Sequence, residues 1–272
     1  MINAERAELE AHYARGLEAD RLAADGPGML EFVRTTEIID RRLPAAPAVV
    51  ADIGGGPGRY TAWLAGRGYR VEHRDLIPMH VRQARAAANG SPLVRAEVGD
   101  ALALDLTDAC ADAVLLLGPI YHLRRRADRI RALREALRIV RPGGPVFIAA
   151  ISRWALRLDG VLRQRLYTDH QAITDAVRAV ERVGWAPPSQ PGSFSAYCHR
   201  PGQFRAEVKA AGLHVADLVS VQGAAFMLAD LAERLADPVD REVLLESLRA
   251  TERVPELLGV GPHLLVTAVR RE

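Results

Sequence analysis

The stretch Val49-Val50-Ala51-Asp52-Ile53-Gly54-Gly55-Gly56-Pro57-Gly58-Arg59 constrains this chain more than any other. Its apolar beginning reads as a buried strand, the glycines as a tight turn, and Tyr60 to Gly66 as the opening of a helix. A strand, a glycine turn and a helix N-terminus form a pocket for a nucleotide-like ligand. Glycine lets the backbone approach closely where a Cβ would collide or forbid the required dihedral angles. The spacing narrows the ligand. A dinucleotide fingerprint started at Gly54 and Gly56 needs a third glycine where Arg59 stands, and a phosphate loop needs Lys followed by Ser or Thr where the chain has Arg59-Tyr60.

The segments that follow keep a regular order. Tyr69 to Asp75 alternates as a strand and ends in an acid 19 positions after Gly56. In open α/β folds the end of the second strand brings a carboxylate beside the ribose bound at the first. Leu93 to Val98 reads as a third strand, followed by Gly99-Asp100-Ala101. Ala111 to Leu117 is a continuous apolar run, suited to a central strand covered on both faces. Gly118-Pro119-Ile120-Tyr121-His122 then leads to an arginine-rich helix, Pro142-Gly143-Gly144 ends it, and Val146 to Ile151 reads as a fifth strand.

The D-x-G-x-G-x-G pattern of Asp52, Gly54, Gly56 and Gly58, the acids at Asp75 and Asp100, and the Leu133 to Gly144 junction together resemble class I S-adenosylmethionine (SAM) dependent methyltransferases of the bacterial small-molecule type, over about residues 45 to 151. The resemblance implies an α/β, Rossmann-like fold: a seven-stranded, mostly parallel sheet in the order 3-2-1-4-5-7-6, last strand antiparallel, with helices on both faces and a helical lid insertion. It implies SAM as cofactor and S-adenosylhomocysteine as product. Cofactor contacts are expected from Asp52, Gly54, Gly56, Gly58, Asp75 at the ribose, Asp100 at the adenine amino group, Ala101 and Leu117, with Tyr13 and Arg21 closing over the site. Gly118 stands where amino-methylating DNA enzymes have Asp or Asn, which removes the main support for a nucleic-acid base as acceptor.

Residues 1–44 read as a helical cover, with helices over 3–25 and Met29 to Leu43 separated by the breaker Asp25-Gly26-Pro27-Gly28. Residues 152–200 depart from the minimal pattern. Helices are expected over Leu156 to Leu166 and Asp169 to Val183, and Tyr167, His170, Trp185, Phe194, Tyr197 and His199 make the insertion read as a cover over the active site. Residues 201–272 then complete the sheet of a single domain, with strands over Leu213 to Val221 and Pro262 to Val269 and helices over Gln203 to Ala211, Phe226 to Leu235 and Arg241 to Leu257. The candidate catalytic residues are His122, Tyr197 and His199, expected to converge above the sulfonium. A histidine of ordinary pKa near 6.5 takes a proton at neutral pH.

No apolar run approaches the roughly 18 residues of a membrane span, and Met1 to Glu10 carries no apolar signal core, so a cytoplasmic protein is expected. Cys110 and Cys198 stand apart without metal-ligand spacing, and no metal is expected. A net charge of +2 provides no global basic field for nucleic acid, and the run from Arg124 to Arg141 reads as the solvated back of a helix. The expected chemistry is methyl transfer to an oxygen or nitrogen of a small-molecule acceptor by a monomer or homodimer. Methylation of tRNA or a protein side chain, and a non-catalytic SAM-binding regulator, are the alternatives.

Overall fold

The computed structural model describes residues 3–16, 18–166, 170–188 and 194–271. The strands are β1 (Val49–Ile53), β2 (Arg70–Asp75), β3 (Val94–Val98), β4 (Ala113–Leu116), β5 (Pro145–Ser152), β6 (Trp185–Ala186), β7 (Ala196–His199), β8 (His214–Ser220) and β9 (His263–Val269). β3, β2, β1, β4 and β5 lie side by side in that order and run parallel. β9 pairs antiparallel with β5, and β8 antiparallel with β9. The seven long strands thus follow the expected order. The sheet departs from it through β6 and β7, an antiparallel ribbon whose β7 pairs with Ile151 and Ser152 of β5, beyond the last β4 partner at Ile148.

Alternation of side chains sets the two layers of the core. Val114 and Leu116 of β4, Val146 and Ile148 of β5, and Leu264 and Val266 of β9 pack with the helices Arg126–Ile139 and Pro201–Ala210 on one face. Leu115, Phe147 and Leu265 turn to the other, under Ile38, Ile39 and Leu64 of the helices Gly26–Asp40 and Arg59–Ala65. All four residues of β4 are buried, as a strand covered on both faces requires.

Two helical expectations are corrected. The helix expected over 3–25 is broken into Asn3–Tyr13 and the single turn Arg21–Ala24, and Gly16 between them adopts a left-handed φ of +73°. The Asp25-Gly26-Pro27-Gly28 breaker is instead the start of the helix Gly26–Asp40: the Asp25 carboxylate accepts from the Gly28 amide at 2.8 Å, and Pro27 occupies the first turn, where its missing N–H is harmless. In the insertion, Leu156–Arg163 is a π-helix and His170–Val183 an α-helix. Tyr167 lies outside the described residues, as does the side chain of His170. Toward the C-terminus the helical segments are Ala225–Met227, Leu231–Ala236 and Pro238–Thr251, the last capped by Asp237. No helix among the described residues is long and apolar enough to cross a membrane.

Candidate functional site

The carboxyl ends of β1 to β5 open into one cleft of about 1270 Å³, mouth included. Nine of the ten residues expected to hold the cofactor line it: Tyr13, Arg21, Asp52, Gly54, Gly56, Asp75, Asp100, Ala101 and Leu117. The exception is Gly58. A Cβ there would sit 2.6 Å from the Cα of Ala84, so this glycine serves close packing between helices. Gly54 is similar, since its Cβ would meet Pro119 Cγ at 2.5 Å. Gly56 differs: its φ is +57° and nothing lies within 4 Å of its Cβ position, which leaves its backbone facing open space.

Behind the loop, Asp52 is 1% exposed and its Oδ2 accepts from the Thr61 hydroxyl at 2.7 Å; that hydroxyl lies 2.9 Å from His73 Nδ1. This network braces the turn from within. Asp75 Oδ2 accepts from the Gly56 amide at 2.8 Å, while Oδ1 accepts from the Ile77 amide at 2.8 Å and from His80 Nδ1 at 3.1 Å. Burial alone would raise the Asp75 carboxyl, but His80 and these two amides hold it below its usual range, so it is ionised. Three of about four lone-pair positions are therefore filled, leaving one for a ligand hydroxyl. Asp100 Oδ1 accepts from the Leu102 amide at 2.9 Å.

Of the candidate catalytic residues, only His122 lines the cleft. It follows β4 on the one-turn helix Pro119–His122, with its Nε2 2.9 Å from the Tyr13 hydroxyl. Enclosure raises the Tyr13 phenol well above its ordinary pKa, so the hydroxyl keeps its proton and donates to His122. Burial pushes His122 down to about 3. The expectation of a histidine of ordinary basicity is thereby corrected: this imidazole is neutral at physiological pH and a poor proton acceptor.

His199 and Tyr197 are not among the residues lining the cleft. His199 is fully buried with Nε2 3.1 Å from Glu207, and Arg129 forks onto the same carboxylate with two contacts of 2.8 Å. The Arg129 guanidinium lies 3.5 Å from the centre of the Tyr197 ring, and the Tyr197 hydroxyl accepts from Gln203 Nε2 at 2.5 Å. The expected convergence of three catalytic groups fails because the outer end of the insertion is a sheet strand. β7 turns these side chains into the packed support against the helices Arg126–Ile139 and Pro201–Ala210.

Phe194 does not line the cleft but packs behind two residues that do, with its ring centre 5.0 Å from His122 and 6.4 Å from Tyr13. Glu8 of the N-terminal helix accepts from both the backbone amide and the hydroxyl of Ser195, at 2.7 and 2.5 Å. Sequence reasoning missed His80, Tyr121, Glu31 and His263, all of which line the cleft. His80 was legible in principle, five residues beyond Asp75 in the first turn of a helix. Glu31 and His263 carried no local signal.

A glycine turn between a parallel strand and a helix, with acids at the ends of the next two strands and one cleft across them, defines a nucleoside-binding α/β site of the Rossmann-like kind. Residues 51–148 match the family described as a methyltransferase domain, and over that part the chain is similar to the class I SAM-dependent methyltransferases. An uncharacterized methyltransferase of Mycobacterium bovis is 40% identical over 108 residues, covering 40% of this chain and 42% of that one. The chain thus spans about two fifths of the length of the mycobacterial relatives it matches. A ubiquinone biosynthesis O-methyltransferase of Pseudomonas fluorescens is 27% identical over 78% of this chain and 82% of its own. Among solved structures, the putative methyltransferase of Haloferax volcanii in complex with the Trm112 activator superposes with a TM-score of 0.61 at 21% identity, covering 97% of each chain.

The cofactor of this family is SAM, and the residues present fit it. The Gly56 backbone faces open space, Asp75 keeps one acceptor position, and buried His80 Nε2 has no protein partner among the described residues although its side chain lines the cleft. With Nδ1 donating to Asp75, that Nε2 offers a lone pair to a ligand hydroxyl.

Proposed function

We propose that this protein transfers the methyl group of SAM to an oxygen or nitrogen of a small-molecule acceptor by in-line displacement. The observation that carries the proposal is a single cleft that is lined by nine of the expected cofactor residues and extends past them to Ala149 of β5, Val221 and His263.

Bound in that cleft, SAM supplies an electrophilic methyl on a sulfonium. The chain's own residues bind and orient. Asp75 and Asp100 would accept from ribose and adenine, the Gly54 to Gly56 backbone would face the methionine portion, and Leu117 and Ala101 would supply apolar contact. Residues 45–151 hold the cofactor, 1–44 cover it, and 201–272 complete the sheet, while the described part of 152–200 supports the cleft from outside its lining. His122, neutral and fixed by Tyr13, shapes the acceptor pocket, and rate enhancement comes mainly from holding nucleophile and methyl in near-attack geometry.

Calorimetric titration with SAM, S-adenosylhomocysteine and NAD tests the cofactor, and an acceptor screen read by release of S-adenosylhomocysteine tests turnover. Preferential binding of SAM and its product is expected. Equal or tighter NAD binding, or cofactor binding with no turnover on any small acceptor, overturns the proposal.

A further inference from the structure

The cleft has a second charged end, across from the acids at 52, 75 and 100. The ends of β1 and β2 and the turn after β3 supply the acids at 52, 75 and 100. Ala149 of β5, Val221 just after β8 and His263 at the start of β9 line the opposite end. His263 stands at the same edge as the carboxyl end of β5 because β9 is antiparallel, with His263 opposite Ile151. Over this end lie Glu18, Arg21 and Glu31. Arg21 Nη1 and Nη2 fork onto the two Glu31 oxygens at 2.7 and 3.1 Å, its Nε donates to Glu18 at 2.6 Å, and His263 Nδ1 lies 3.6 Å from Glu31.

Arg21 was expected to reach the cofactor, yet both edges of its guanidinium are occupied. Its charge is met by two carboxylates, an excess of one negative charge within this trio; the other guanidinium lining the cleft, Arg59, lies over the Phe32 ring, 4.6 Å from its centre. His263 does not offset that excess, since burial lowers its pKa and keeps the ring neutral. Glu31 is held below its usual range against its own burial, by Arg21 above all, so it is ionised with only 13% of its side chain exposed. Enclosed carboxylates seek charged donors, and charge-assisted hydrogen bonds are the strong ones. Tyr60 and Tyr121 line the same cleft, and aromatic faces attract cations but not anions.

We infer that the acceptor carries a protonated amine, which docks against Glu31 and Glu18 above β5 and β9, with Arg21 as the positioning residue that fixes Glu31. The inference rests on the methyl-transfer proposal only in treating this end of the cleft as the acceptor's. An anionic acceptor meets two carboxylates there, and a neutral alcohol leaves the excess charge unanswered.

Phenethylamine, phenethyl alcohol and phenylacetate form a matched probe set, titrated by calorimetry with and without saturating S-adenosylhomocysteine. The amine should bind at least about tenfold more tightly than the alcohol or the acid. Glu31→Gln, and separately the more exposed Glu18→Gln, should shrink that gap while S-adenosylhomocysteine affinity stays within about twofold. Alcohol or acid binding that equals the amine's overturns the inference, as does no amine binding at all. A tenfold loss of S-adenosylhomocysteine affinity in either variant also overturns it, because the carboxylates then serve the cofactor's own ammonium. Failure of the unaltered protein to bind S-adenosylhomocysteine sinks the methyl-transfer proposal instead, and the titrations without it still decide between amine and alcohol.

Discussion

The two ends of the cleft are built by different means. Over β1 to β3 the wall comes from residues 52 to 101, each delivered by the turn after one of three adjacent parallel strands and tied to backbone: Asp75 to the Gly56 and Ile77 amides, Asp100 to the Leu102 amide. Over β5, β8 and β9 the wall comes from residues 18–31, 121–122, 149, 221 and 263, which meet only once the sheet is complete, and side chains hold one another there. An end tied to backbone hydrogen bonds presents one fixed surface. An end made of side-chain pairs can change its chemistry without disturbing the turns, which is how a common cofactor site serves different acceptors.

The largest expected effect lies outside the cleft and sharpens the boundary of its acceptor end. Glu207→Ala leaves Arg129 buried without its partner, so stability should fall by about 3–5 kcal/mol, measured by denaturant unfolding. The folded fraction should keep its S-adenosylhomocysteine affinity; loss of affinity without loss of stability returns His199 and Tyr197 to the site. Burial alone would raise the Glu207 carboxyl, but Arg129 and then His199 bring it to about 2. Its contribution is therefore complete above the unfolded value near 4.5 and is lost as pH falls from there toward 2.

Gly56→Val comes next, since it puts bulk into open ligand space on a left-handed backbone. Calorimetry should show S-adenosylhomocysteine affinity reduced by roughly a hundredfold or more, about 2.8 kcal/mol. An equal loss for Gly58→Val in a folded variant would break the distinction between a glycine facing the ligand and one packed on Ala84. Asp75→Ala should cost somewhat less, about tenfold or slightly more, because one charged hydrogen bond to the ribose, at roughly 1.5–3 kcal/mol, is lost with the anchor on Gly56. Unchanged affinity would make Asp75 purely a brace for the turn.

The cofactor end was legible because its geometry is local. A strand, a turn and a helix start follow one another in sequence, and the acids sit at fixed distances from the glycines. Gly58 was misassigned because the same residue type serves ligand approach and helix packing, and only Ala84, 26 positions away, decides between them. The end proposed for the acceptor was only partly legible: Arg21 was read, but its partner Glu31 and, from the far end of the chain, His263 were not. The ribbon β6–β7 has strands of two and four residues, too short for periodicity to reveal. Missing it moved Tyr197 and His199 from the support into the cleft.

The smallest effect is expected at His122. Folded His122 refuses a proton until about pH 3, whereas the unfolded chain takes one near 6.5; its contribution to stability is present above pH 6.5 and drains away as pH falls between the two values. His122→Ala should lower turnover less than about tenfold, with no inflection near pH 6.5 in the unaltered protein. A loss of 10² or more with such an inflection would restore the histidine as a general base.

The bonds from Glu8 to Ser195 fasten the first helix to the far side of the insertion, and the rings of Tyr13 and Phe194 stack beside them with centres 6.4 Å apart. Segments almost two hundred positions apart are thus stitched along a single seam. Amides near the end of the first helix and those of Phe194 and Ser195 should then exchange with deuterium as one cooperative unit, sharing one opening free energy that rises together when ligand is added. Independent rates at the two places would mean that the seam opens one edge at a time.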